Sequence, residues 1–178
     1  MSIVIGLILI VMVVLIDQIV KILVNTFMTP GQVIRVIPYV FELRFTRNFG
    51  AAFGMMQGRW YIFIIVTVLA LAFFGYLFAS NDFKKKKIYS ISTILLIAGT
   101  LGNAIDRMFR IGQNSEGFFT GYVIDMLYLP FLEVINFRFI FNIADVALTF
   151  GLIFFVIDLL FLEGRRKKAL KYEQYDEA

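Results

Sequence analysis

The chemistry open to this chain is set by two missing residue types and by where its few polar side chains fall. It contains no histidine and no cysteine. That excludes a Ser-His-Asp triad, a thiolate nucleophile and a zinc site of the usual nitrogen and sulfur ligands. Acid/base work must fall to carboxylates, lysine or tyrosine. Within apolar stretches stand Asp17, Lys21, Asp106, Arg107, Asp145 and Asp158, with Asn103 and Asn142 as neutral companions. Asp125 lies in a segment between two such stretches. Asp17 and Lys21 are spaced i, i+4 and suit a local ion pair that locks their helix. Asn103, Asp106 and Arg107 stand at i, i+3 and i+4 and share one helix face. A guanidinium there fits two roles, organising helices or binding a substrate carbonyl or head group. Asp125 and Asp145 have no obvious cationic partner in sequence. Two such carboxylates meeting in a poorly solvated site cannot both ionise cheaply, so one keeps its proton. A hydrolytic dyad needs that state: the charged member takes a proton from water while the neutral member donates to an amide carbonyl.

The elements that must carry these groups read as membrane helices. Of 178 residues, 60% are hydrophobic and 17% charged, against roughly half and a quarter in soluble domains. Disorder and a disulfide scaffold are excluded by the same composition. Four apolar stretches, about 3–24, 60–79, 88–105 and 139–162, each suit a crossing of ~30 Å of hydrocarbon as a helix. The first is expected to be a retained anchor, since no Lys or Arg precedes it and no small-x-small cleavage site follows. Lys84, Lys85, Lys86 and Lys87 follow the second span; Arg165, Arg166, Lys167, Lys168 and Lys171 follow the fourth. Two spans separate these clusters, so both face the cytoplasm under the positive-inside rule. The bias is incomplete, because Arg35, Arg44, Arg47, Arg59, Arg110 and Arg138 fall on the other side. Topology also accounts for the net charge of +4, and no nucleic-acid partner is expected. The expected fold is an all-α membrane core of four transmembrane helices in one domain, 1–178, with both termini and the tail 163–178 cytoplasmic. A small extracytoplasmic β element is expected at Val40–Thr46, where Phe41, Leu43 and Phe45 alternate with Glu42, Arg44 and Thr46. Trp60 and Tyr61 suit an aromatic belt at the outer interface.

Depth gathers the polar groups. Asp17 and Asn103 each lie about 20 Å from the inner end of their spans, and Asn142 and Asp145 lie within two turns of the outer end of theirs. Asp158 is expected about 20 Å below Asp145, snorkelling near Arg165. Three other readings compete with a dyad. An ion- or proton-coupled transporter uses intramembrane Asp, Asn and Lys, but needs them at successive depths. A scaffold subunit uses them as interhelical glue, and a metal-dependent hydrolase could be built on Asp and Asn oxygens. Gly112, Gly117 and Gly121 suit either a substrate gate or a plain connector between Phe109 and Val123.

Five segments in order resemble the lipoprotein signal peptidases (signal peptidase II), the membrane aspartic proteases of bacteria. They are Asp17-Gln18 with Lys21, Arg47-Asn48-Phe49-Gly50-Ala51-Ala52-Phe53-Gly54, Gly102-Asn103-Ala104-Ile105-Asp106-Arg107, Val123-Ile124-Asp125, and Phe141-Asn142-Ile143-Ala144-Asp145. The resemblance implies that Asp125 and Asp145 are catalytic and that Asn48, Asn103, Arg107 and Asn142 line the site and bind substrate. It implies structural support from Asp17, Lys21 and Asp106, with no metal and no cofactor. Val146 stands where many members of the family carry Ser. The implied substrate is a prolipoprotein cut just before a diacylglyceryl-modified cysteine, at the extracytoplasmic face of the bacterial cytoplasmic membrane. Membrane lipids and the family's cyclic peptide inhibitors are the other implied partners. Gly50, Ala51, Ala52 and Gly54 are small enough for close approach to a lipidated substrate, or simply for a tight turn.

Overall fold

The computed structural model describes residues 2–50, 60–110 and 121–168. Ala51 to Gly54, the segment 111–120 with Gly112 and Gly117, and Lys171 lie outside the described residues. Among the described residues, besides a short 3-10 helix at Pro130–Ile135, four long helices form: α1 (Ile3–Phe27), α2 (Trp60–Ala79), α3 (Lys87–Phe109) and α4 (Ile143–Ile157). The last continues through one π-helical turn, Asp158–Leu162, and remains helical to Lys168. All four are long and apolar enough to cross a membrane. Their outer faces leave large side chains such as Leu7, Val11, Leu15, Val66, Leu69 and Leu152 uncovered. Backbone groups satisfied within each helix and apolar side chains turned outward are what a hydrocarbon solvent requires.

α3 packs against α1, α2 and α4 and is the most buried of the four. Small residues make this possible. A Cβ on Gly99 would lie 2.5 Å from the Ala144 carbonyl oxygen, and one on Gly151 would lie 2.9 Å from Leu96 Cγ. Ser92 Oγ donates to the Gly151 carbonyl at 2.9 Å across the same contact.

Outside the spans, three antiparallel strands form one sheet in the order β1 (Val33–Ile37), β2 (Phe41–Asn48), β3 (Val123–Tyr128). Phe45, Tyr122, Ile124 and Met126 pack with Val24 and Met28, which fastens the sheet to the end of α1. The expected strand at 40–46 is therefore the centre of a larger element. Glu42, expected on its polar face, is buried against Arg44 at 2.8 Å, and the pairing with β3 shifts register between Leu43 and Thr46.

The fourth span was expected from Phe139, and here the structure corrects the sequence reading. Phe141 is extended, pairing with Leu127 on β3 through bonds of 2.7 and 3.0 Å. The helix starts at Ile143 because Asn142 caps it. Its side chain accepts from Asp145 N while Asp145 accepts from Asn142 N, a reciprocal capping box. At the end of α3, Gly121 N donates to the Arg107 carbonyl at 3.0 Å and Tyr122 N to the Arg110 carbonyl at 3.1 Å. A Cβ on Gly121 would fall 2.6 to 2.9 Å from three carbonyl oxygens of that helix end.

Candidate active site

Strand periodicity brings Asn48 to Asp125. Thr46 stands opposite Asp125 in the β2–β3 register, so Asn48, two residues on, projects from the same face as a diagonal neighbour. Its Nδ2 donates to Asp125 Oδ2 at 2.9 Å. Helix capping brings Asp145 to the same place. The first turn of α4 begins where the chain leaves the sheet at Phe141, so its third residue, Asp145, comes near enough for its charge to act on Asp125 of β3.

Two asparagines join the carboxylates. Asn142 Nδ2 donates to Asp125 Oδ1 at 2.7 Å and to Asn103 Oδ1 at 3.1 Å. Asn103 Nδ2 donates in turn to Asp145 Oδ1 at 2.8 Å, and Asp145 Oδ2 accepts from Asn142 N at 3.1 Å. Asp125, only 3% exposed, is thus linked to a half-buried Asp145 by neutral donors alone. Burial pushes the Asp125 carboxyl up to about 7, and the nearby Asp145 charge adds to the rise against the hydrogen bonds from Asn48 and Asn142. A carboxyl so placed holds its proton near neutrality.

Behind the asparagines lies a second cluster. The Asp17–Lys21 pair expected from the i, i+4 spacing is present at 2.9 Å, but it is not merely local. Lys21 Nζ also meets Asp106 Oδ2 at 3.0 Å and Asn103 Oδ1 at 3.1 Å. Gln18 Nε2 bridges Asp17, the Gly102 carbonyl and Asp106 at 3.0 to 3.2 Å, and Arg110 Nε pairs with Asp106 Oδ1 at 2.9 Å. Asp106 and Arg107 do not pair as neighbours. The Arg107 guanidinium lies 3.7 Å over the Phe63 ring, and its charge acts on Asp125 and Asp145.

Gln18, Arg110 and Phe63 were not singled out for these roles by sequence reasoning. The i, i+4 spacing of Asp106 and Arg110 was the available signal for one of them and the Asp17-Gln18 motif for another, while the Arg107–Phe63 contact is long-range and left none. Asp158 stands apart. Rather than snorkelling near Arg165, it is 2% exposed and held by both terminal nitrogens of Arg166, one at 2.8 Å. The π turn that starts at Asp158 changes which later residues share its face. Among the described residues, no three acidic side chains gather as metal ligands would.

Residues 9–161 match the family profile described as signal peptidase (SPase) II. A lipoprotein signal peptidase of Latilactobacillus sakei subsp. sakei (strain 23K) is 39% identical over 147 residues, covering 83% of this chain and 87% of that protein. The lipoprotein signal peptidase of Clostridioides difficile (strain 630) is 38% identical over 151 residues, covering 85% and 91%. Among solved structures, a bacterial membrane enzyme determined by the in meso method at 1.9 Å resolution superposes with a TM-score of 0.73 at 34% identity, covering 88% of this chain and 93% of that one.

Proposed function

The chain belongs to the signal peptidase II family and cleaves lipoprotein signal peptides, and from that premise we propose that Asp125 and Asp145 are its catalytic dyad. One observation carries the reading: two carboxylates on separate elements are tied together through neutral amides, with the more buried one pushed up to about 7. In this reading Asp125, the more buried member, holds the shared proton, and Asp145, which accepts a backbone N–H at the N-terminus of α4, is the charged one. Asp145 takes a proton from water, whose oxygen attacks the scissile carbonyl carbon while Asp125 protonates the carbonyl oxygen. On collapse the C–N bond breaks, the amine takes the proton from Asp145, and the new carboxyl group returns one to Asp125. Arg107 faces this site from α3 and offers a planar fork of donors to substrate carbonyls.

Placement supports cutting at the outer leaflet. The dyad lies at one end of α3 and α4, and Lys84–Lys87 with Arg165–Lys168 lies at the other. Basic residues stay cytoplasmic, so the termini are inside and the dyad extracytoplasmic. A diacylglyceryl cysteine would be held at that level by its own chains, which presents the preceding amide to the dyad. The transporter reading has no support from the relatives.

The test is cleavage of a diacylated prolipoprotein by purified protein. Asp125→Asn and Asp145→Asn should each slow it by at least about 10²-fold, while a chelator or a thiol-alkylating reagent leaves it unchanged. Unlipidated precursor should be cut poorly. Robust cleavage by either Asn variant would remove the dyad assignment; inhibition by chelator would point to a metal-dependent hydrolase.

A further inference from the structure

A buried ammonium is costly to desolvate. Lys21 has no exposed surface, and its three donors are all used, on Asp17 Oδ2, Asp106 Oδ2 and Asn103 Oδ1. Buried ion pairs replaced by apolar residues of similar volume are often neutral or stabilising, so the packing of α1 against α3 does not by itself call for this cation. The partners of Lys21 suggest a more specific task. Asp17 Oδ1 accepts from the backbone N of Ala144 at 2.9 Å, and Asp106 Oδ2 accepts from the backbone N of Ile124 at 3.1 Å. Each carboxylate thus grips the residue immediately before one of the two aspartates. The third partner, Asn103, donates to Asp145, and Lys21 on its Oδ1 fixes which way that amide points.

We propose that Lys21 is a positioning residue for the dyad, a buried cation that holds Asp17, Asp106 and Asn103 as three arms and so fixes where Asp125 and Asp145 stand. The proposal rests on the dyad reading above. Geometry and charge act together. The arms reach β3 and α4 from one point, so a shift of Lys21 moves both aspartates relative to each other. Its positive charge also favours the ionised form of Asp125. The charges that act on Asp125 come from Lys21 on α1, Arg107 on α3 and Asp145 on α4; Asp106 on α3 lies one residue away at the Ile124 N–H, and β2 offers the neutral Asn48. Lys21 and Arg107 are therefore the cations that balance the dyad.

The experiment compares Lys21→Met, the double variant Asp17→Asn/Lys21→Met and Lys21→Arg with wild type, reading folded yield, kcat, KM and the pH profile on diacylated prolipoprotein. The double variant removes the stranded carboxylate but keeps an oxygen for the Ala144 N–H. Both Met variants should fold and lose about 10- to 100-fold in kcat with KM little changed, as a misplaced dyad does. Their pH profiles should move upward by about half a unit to one unit, because a cation that favoured ionisation is gone. Lys21→Arg should keep the wild-type profile. A wild-type kcat and profile in the Met variants would overturn the proposal. So would activity that falls only with folded yield, or no folded protein from either Met variant, since Lys21 would then be a fold requirement alone. Asp125→Asn and Asp145→Asn run alongside separate the two readings: if they stay active the dyad fails, and if they are inactive while Lys21→Met matches wild type only the clamp fails.

Discussion

Asp125 is placed where a carboxylate is useful and expensive. Its pKa rises from 3.8 unfolded to about 7 folded, so between those values the folded state binds more protons than the unfolded one. Stability contributed at this site is therefore fully present below about pH 4 and is lost as pH rises toward 7. The rise of about three units corresponds to roughly 4 kcal/mol at most. Asp125→Asn cannot ionise. Its unfolding temperature in detergent, relative to wild type, should climb between pH 5 and pH 8, although one amide donor facing Asn48 or Asn142 loses its partner. A difference that stays flat across that range would contradict the burial argument. The sequence made much of this site legible. Asp17 with Lys21 and Asn142 with Asp145 were readable from helical spacing because their contacts are local. Asn48 meeting Asp125 was legible only by resemblance, since a contact across 77 residues depends on a sheet whose register no spacing rule gives. Arg166 replaced Arg165 as the partner of Asp158 because a π turn shifts the face by about one residue.

At the scale of elements, the helices were readable from apolar length, and their ends were not. Phe139 to Phe141 are as apolar as the span they precede, yet they pair with β3. The sequence Asn142-Ile143-Ala144-Asp145 carried the capping pattern that places the true start. β1 was missed although Val33-Ile34-Arg35-Val36-Ile37 is rich in β-branched residues and flanked by Gly31 and Pro38. Packing between helices turns on glycines that hydropathy ignores. A Cβ on Gly102 would lie 2.7 Å from Asp17 Oδ2 and 3.0 Å from Ala144 Cβ, which forces α3 away from both α1 and the first turn of α4. Gly102→Ala should cost about 1–3 kcal/mol in stability and lower cleavage per folded molecule, because Asp145 sits on the turn being displaced. Gly75 has open space around it, so Gly75→Ala serves as the control and should leave cleavage per folded molecule unchanged. Thermal unfolding and precursor processing on the two variants decide it. Matching behaviour would mean the α1–α3–α4 contact yields without strain.

Across the whole molecule, ionisable groups are segregated at the two ends of the bundle. One end holds the proposed dyad and the Lys21 cluster, and the other holds the basic residues with Asp158 and Arg166. Between Asp145 and Asp158, α4 carries no charged residue, and about 13 residues of helix separate the two by roughly 20 Å. Three aspartates on one small protein should therefore respond in two distinct ways. In the proposed mechanism Asp125→Asn and Asp145→Asn each remove one half of a proton-sharing pair, so either alone should abolish most processing. The double variant should be little worse than either, since groups that act as a unit are non-additive. Asp158→Asn should weaken its bond to Arg166 and lower stability, yet cleave its substrate at a rate near wild type. The measurement is processing of a diacylated precursor in membranes that contain equal amounts of each folded variant. Additive losses in the double variant would mean Asp125 and Asp145 work independently, and the shared-proton mechanism would fall. A large loss in Asp158→Asn at equal folded amount would mean the two ends of the bundle are coupled through α4, against the separation that the apolar stretch between them provides.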